Sequence, residues 1–286
     1  MPTITDTREL TKRVQECLAE RPEVRPFPAA VTQLLAACQD ADTNAETFVK
    51  IIECDPALAV RLLRMANSPL YGLANGVRGI GHAVSILGMR QLKNLALSVA
   101  GKAMFSEGST AAKQRLDLWN HSLGCAAVAR LLAKSVPTVS PEDAFLAGIF
   151  HDVGKLFLYD VVTDEYTEMA SLYSREQLIA EEKSLFGISH EEIGLKSAHS
   201  WGLPEDVKAV IAHHHQPEES LVHRPFVTVG HIANRLARVW GIGSEVTTDS
   251  DVLAETAEQL ALDEEVFASV EEQARAAFDD AAQALA

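Results

Sequence analysis

An all-α fold is predicted for this chain of 286 residues, on three observations. Apolar residues recur at three- and four-residue spacing, as in AAVTQLLAACQ (29–39) and PALAVRLLRMAN (56–67), which gives each segment one buried helix face. Helix-start signals are frequent. Strand signals are sparse: FLYDVV (157–162) is β-branched and aromatic, but a short isolated strand has no partner with which to form a sheet.

The elements follow in order. Residues 1–24 are expected to form an N-terminal helix. TNAE, Thr43 to Glu46, has the form of a capping box ahead of TFVKIIEC. The Gly-rich NSPLYGLANGVRGIG, Asn67 to Gly81, lacks both the phosphate-loop pattern and a preceding strand, so it reads as a loop between helices. LWNHSLGCAAVARLLAK predicts a long helix ending before Pro137. Ser140 is the expected N-cap of the next helix, with Pro141 at its first position, and Gly154 its end signal. SHEE, Ser189 to Glu192, is a second capping box. Pro204 is expected in the first turn of EDVKAVIAHHHQP, which stops before Pro217. A last core helix spans FVTVGHIANRLARVW. Beyond it lies an acidic, Ala-rich tail from Val252 to Ala286, expected as one or two helices packed on the body or carrying a partner contact. The expected organisation is a helix over 1–24, a main domain over 25–240 divided near 110 at the softer segment FSEGSTAAK, and a tail over 241–286.

Composition excludes several functions. Hydrophobic residues make up 47% and the formal net charge is −15, a balance that repels a phosphate backbone and argues against nucleic-acid binding. The densest basic stretch, Arg61 to Lys102, is interleaved with apolar residues and reads as the wet faces of packed helices. No apolar run approaches the roughly 18 residues of a membrane span, and the N-terminus has no signal-peptide core, so a cytoplasmic protein is expected. Cys17, Cys38, Cys54 and Cys125 form no CxxC pair and are expected to be buried, reduced thiols. Trp119, Trp201 and Trp240 are expected to anchor packing.

Chemistry concentrates in the second lobe, which holds nine of the ten histidines. Four helices are expected to place imidazoles at or near an end: His121, the His151–Asp152 pair, His190, and the run His213 to His215. Taken singly, each histidine is explained as a hydrogen-bonded core residue or as a group favoured by a helix C-terminus. Taken together, imidazoles and a carboxylate on facing helices suit Zn, Fe, Mn or Ni. Ser122 and Cys125 near His121 raise nucleophilic catalysis, but neighbouring helix residues diverge.

The blocks RPFPAAVTQLLAACQD, IIECDPALAVRLLRMANSPLYG, GHAVSILGMRQLKNLALSVA, LWNHSLGCAAVARLLA, FLAGIFHDVGKLFL, FGISHEEIGLKSAHSWGLPEDVKAVIAHHHQP and VGHIANRLA, over roughly residues 25–240, resemble the HDOD family. HDOD domains are HD-related output domains of bacterial signalling proteins. The resemblance implies metal positions at His121, His151, Asp152, His190, His214 and His215. It also implies that Lys155 stands where related HD-GYP enzymes aim a lysine at phosphate. Asn234 occupies the place of the final aspartate, and no GYP segment follows the His pair, which counts against cyclic-di-GMP hydrolysis. The resemblance therefore implies an output or interaction module that takes a signalling protein or small signalling ligand. No receiver, GGDEF-like or kinase segment accompanies it, so a stand-alone module acting in trans is expected. The alternative is a metal-dependent phosphohydrolase with Asp152 and Lys155 in its catalytic machinery.

Overall fold

Every regular element among the described residues is a helix. The computed structural model describes residues 7–21, 24–40, 43–106, 111–173, 175–244, 246–249, 251–260 and 264–285. In chain order the helices are α1 (Thr7–Glu20), α2 (Ala29–Gln39), α3 (Ala45–Glu53), α4 (Pro56–Ala66), α5 (Ile80–Ser106), α6 (Ala112–Ala133), α7 (Pro141–Phe150) and α8 (Gly154–Val161). They continue as α9 (Thr163–Leu172), α10 (Arg175–Phe186), α11 (His190–Ser200), α12 (Glu205–His213), α13 (Arg224–Val239), α14 (Val252–Leu260) and α15 (Glu264–Ala284).

Helices α2, α3 and α4 pack on α5. Helix α5 breaks at Gly88, whose φ of 79° is open to glycine at little cost. Its second half, from Leu92 to Phe105, is almost wholly buried and packs on α6 and α7. There α6 and α7 pair at very close range: a Cβ on Gly148 would lie 2.4 Å from Ala126 Cα. Helices α12 and α13 cover that pair, and α11 joins α8 to α12. Helix α1 packs on α8 and α10. The chain after it is held there too, since Arg25 and Arg115 both pair with Asp160 and the Trp201 indole donates to Arg25 O at 3.0 Å.

Several local expectations hold. Ser189 makes a reciprocal capping box with Glu192, and Ser140 caps α7 with Pro141 at its first position. Others shift. Asn44, not Thr43, caps α3 and accepts from Thr47 N at 2.9 Å, while Thr43 turns back to Asp40. The helix therefore starts one residue later, which leaves Glu46 to pair with Lys50. Pro204 is the N-cap of α12 rather than part of its first turn. FLYDVV is helical in α8 as far as Val161, and Val162 caps the end of that helix. Of the cysteines only Cys125 is buried; Cys38 and Cys54 sit on solvent-facing positions of their segments. The three tryptophans are buried. The tail packs on the body, α14 against α13 and α15 against α6 and α4, with Phe267, Val270 and Ala274 inward. Residues 107–110 of the softer segment lie outside the described residues. No helix among the described residues is long and apolar enough to cross a membrane.

Candidate metal centre

The turn joining α7 to α8 carries His151 and Asp152, and its tightness begins with a glycine. Gly154 opens α8 rather than ending α7. A Cβ at Gly154 would lie 1.9 Å from His190 O, so only glycine lets the start of α8 meet the start of α11. That approach sets Asp152, completely buried, within reach of His190. His151 and His214 are the C-caps of α7 and α12, and His190 is the first residue of α11. His121 and Asn234, by contrast, stand in the middle of α6 and α13, so the expectation of helix ends fails for His121. A residue facing a common axis can reach it from mid-helix when the helix crosses the site.

Asp152 is the hub. Its Oδ1 lies 3.4 Å from both His190 Nε2 and His214 Nε2. Its Oδ2 lies 2.7 Å from Lys155 Nζ, 3.3 Å from His151 Nε2, 3.8 Å from His121 Nε2 and 4.0 Å from the Arg238 guanidinium. His121, His151, Asp152, His190, His214, His215 and Asn234 converge, whereas His213, expected with its run, faces Glu219 outside the site, as His223 faces Asp206.

The far nitrogens fix the orientation of the rings. His151 Nδ1 donates to Gly148 O at 2.8 Å, and His214 Nδ1 faces the Val210 and Ile211 carbonyls. His190 Nδ1 donates to Glu182 at 2.7 Å, a buried carboxylate that also accepts from His190 N and from the Tyr166 hydroxyl at 2.8 Å each. With Nδ1 as the donor, each Nε2 presents a lone pair inward.

Electrostatics agree with neutral rings at His121, His214 and His215 beside an ionised acid. Burial drives His121 well below the ordinary imidazole range, with the Arg238 charge adding to it, and drives His214 down to about 3. Burial and the neighbouring His214 likewise push His215 down. Burial opposes ionisation of Asp152, but the Lys155 ammonium beside it outweighs burial and holds the acid well below the usual carboxylate range.

The Nε2 atoms of His151, His190, His214 and His215 and the Oδ1 of Asp152 are buried and have no hydrogen-bond partner. Buried polar atoms are seldom left this way. Ligand atoms of Asp152, His190, His214 and His215 all lie within 4.8 Å of one another, and those of His121, Cys125 and His151 form a second such group. Lone pairs pointed at a carboxylate oxygen repel unless a cation lies between them. Three imidazoles and a carboxylate thus fit a borderline divalent metal in chemistry and in placement.

A cleft of about 1720 Å³ opens from this centre. Lys113, Lys155, Lys183, Arg235 and Arg238 line it against three carboxylates, in a chain of net charge −15. Arg235 is itself paired with Asp249 and Glu255.

Sequence reasoning missed Glu182, Tyr166 and Arg238, and weighed Cys125 only as a nucleophile beside His121. Glu182 and Tyr166 come from α10 and α9, which carry no motif. Arg238 follows Asn234 by one helical turn, and Cys125 follows His121 by one turn, with Sγ 3.4 Å from His121 Nε2. The i, i+4 spacing could have flagged both.

Comparison with known proteins places the chain. The HDOD domain profile matches residues 24–217. An uncharacterised protein of Treponema pallidum (strain Nichols) is 28% identical over 253 residues, 83% of this chain and 47% of its own length, so the chain spans about half of that relative. A crystal structure of an HDOD domain protein of unknown function from Geobacter sulfurreducens is similar over 94% of this chain and 99% of its own, at 25% identity and a TM-score of 0.69. A candidate phosphohydrolase of Shewanella amazonensis SB2B shares the fold, with a TM-score of 0.73 at 23% identity over 96% of this chain and 99% of its own.

Proposed function

The chain belongs to the HDOD domain family, and on that premise we propose that it is a signal-transduction output module. Its buried histidine–aspartate pocket holds a divalent metal, and its basic cleft takes a small anionic signalling ligand. The observation that carries a binding role over hydrolysis is Asn234. Where HD-type hydrolases have an aspartate, this chain has a neutral amide, whose Oδ1 is 3.0 Å from His121 Nε2 and 3.3 Å from Arg238 Nε. The site therefore lacks one ligand charge. His190, His214, His215 and Asp152 would hold the metal, which when bound supplies a Lewis acid able to fix an anionic ligand. Lys155, bound to Asp152, neutralises the acid and presents its remaining N–H donors to the cleft. The cleft cations draw an anion out of solvent that the acidic body otherwise repels.

Hydrolysis of a phosphodiester is the second reading, favoured by the unpartnered ligand atoms. An activated phosphodiester assayed with saturating Mn or Fe separates the two. No turnover is expected. Metal-dependent turnover of roughly 1 per second or faster, abolished by Asp152→Ala, would overturn the binding role.

A further inference from the structure

We propose that Arg238 is a built-in cation that takes the place of a second metal ion, and so limits the site to one metal per chain. The inference rests on the metal reading above and concerns the other half of the pocket.

Asp152 divides its surroundings between its two oxygens. Oδ1 faces His190 and His214, whose Nε2 atoms have no partner. Oδ2 faces His121, His151, Lys155 and Arg238. On that second side His121, Cys125 and His151 bring ligand atoms within 4.8 Å of one another, a donor set suited to Zn or Co. The guanidinium already engages it. Its terminal nitrogen is 2.9 Å from His121 Nε2, and its Nε is 3.3 Å from Asn234 Oδ1.

A guanidinium has donors only and keeps its charge. His121 Nε2 must therefore accept, with its lone pair spent on Arg238, so it cannot also donate to Asn234 Oδ1 3.0 Å away, and those two acceptors sit side by side only because the guanidinium donates to both. Asn234 Oδ1 accepts from the same group. Two acceptors converge on one cation, as ligands converge on a metal. A second divalent ion beside Oδ2 would have to displace Arg238 from His121 and would share Asp152 with two protein cations, Arg238 and Lys155. A neutral amide at 234 suits this arrangement, since the carboxylate of Asp152 is already balanced.

The test is metal counting on the full chain, by elemental analysis after equilibration with Co and removal of loosely held ion. Circular dichroism would monitor the folding of each variant, since the Arg238 side chain is only 20% exposed and bonds His121 and Asn234. Wild type is expected to hold one Co, without a thiolate-to-cobalt charge-transfer band. Arg238→Gln is expected to hold two and to gain that band through Cys125. Arg238→Lys, which keeps the charge, is expected to stay at one. Adding Cys125→Ser to Arg238→Gln should remove the band, and adding His121→Ala should return the count to one. Two metals in wild type, or an unchanged count in Arg238→Gln, overturns the role of Arg238 while leaving the first metal standing. If wild type holds none, the metal reading fails by itself; a metal gained by Arg238→Gln then still supports the role of Arg238, and a variant that stays empty overturns it.

Discussion

Replacing Glu182 with alanine should destabilise the fold and weaken the metal site together. Glu182 is completely buried on α10, and its two oxygens accept from three donors: His190 N, His190 Nδ1 and the Tyr166 hydroxyl, at 2.7–2.9 Å. Burial alone would raise its pKa, yet pairing with His190 holds it below the ordinary value, so it is the ionised form that is in place. Alanine leaves three buried donors without an acceptor, at about 1–3 kcal/mol each when nothing replaces it. Part returns through the lost desolvation of the acid and through water from the cleft that Tyr166 lines. A net loss of about 3–5 kcal/mol follows, the range for removing one partner of a buried pair. At roughly 2–4 °C per kcal/mol for a chain of this size, the melting point should drop by roughly 6–20 °C. Glu182→Gln keeps the shape but only one acceptor oxygen and should fall between. Tyr166→Phe, which removes one donor together with its need, should cost about 1 kcal/mol or less. Metal affinity should fall about 10–100-fold in Glu182→Ala, because the ring of His190 loses its orienting carboxylate. Thermal unfolding by circular dichroism, with and without chelator, and Mn titration are the assays. A Glu182→Ala protein that melts within about 2 °C of wild type and binds Mn equally well would refute the reasoning.

Other expectations concern the same centre. His121, His214 and His215 are held neutral in the fold but titrate near 6.5 when unfolded. Below that pH the unfolded chain binds more protons, so stability should fall with acid by up to about 1.4 kcal/mol per pH unit per histidine; a stability flat from pH 7 to 5 would contradict it. Gly154→Ala forces α8 away from His190 O and should lower both the melting point and metal content, whereas retention of both would show that the helices can part cheaply. Asn234→Asp by itself should pair its new carboxylate with Arg238 and leave the metal count unchanged; a rise in elemental analysis would count against that. A chelator should lower the melting point of metal-loaded protein, by an amount equivalent to about 2.7 kcal/mol when free metal had stood at 100 times its Kd.

The helical class and most of the polar hub were legible in the sequence because both rest on local signals. Apolar spacing gave α2 and α4, and the Ser-x-x-Glu pattern gave the start of α11. The His151–Asp152 pair and the His213–His215 run stand out as residue types. What could not be read is what depends on which helices touch. Glu182 lies eight residues before His190, across a loop, and nothing in LIAEEKSLF distinguishes it from its neighbour Glu181 except which one faces inward. Gly154 looked like a helix end because glycine commonly is one, whereas here the constraint comes from another helix, α11, packed against it. Asn44 and Thr43 are both good caps, and the choice between them turns on where α3 meets α5 rather than on propensity.

The centre also explains why two glycines sit where a helix would normally prefer alanine. Asp152 has a short side chain, so its two oxygens can meet groups from α6, α11, α12 and α13 only if those helices crowd the α7–α8 turn. Gly148 lets α7 press on α6 at Ala126, on the flank that carries His121 and Cys125. Gly154 lets α8 press on α11, on the flank that carries His190. Each contact serves one side of Asp152: the first brings up the half that Arg238 fills, where His151 Nε2 also has no partner, and the second the half with the unpartnered nitrogens of His190, His214 and His215. A buried carboxylate in such a place cannot be neutralised by solvent, and burial alone would protonate it. Lys155 and Arg238 supply charge on one side only. The opposite side, with three bare imidazole nitrogens beside Oδ1, is the place where the balance of lone pairs calls for a cation that the chain itself does not provide.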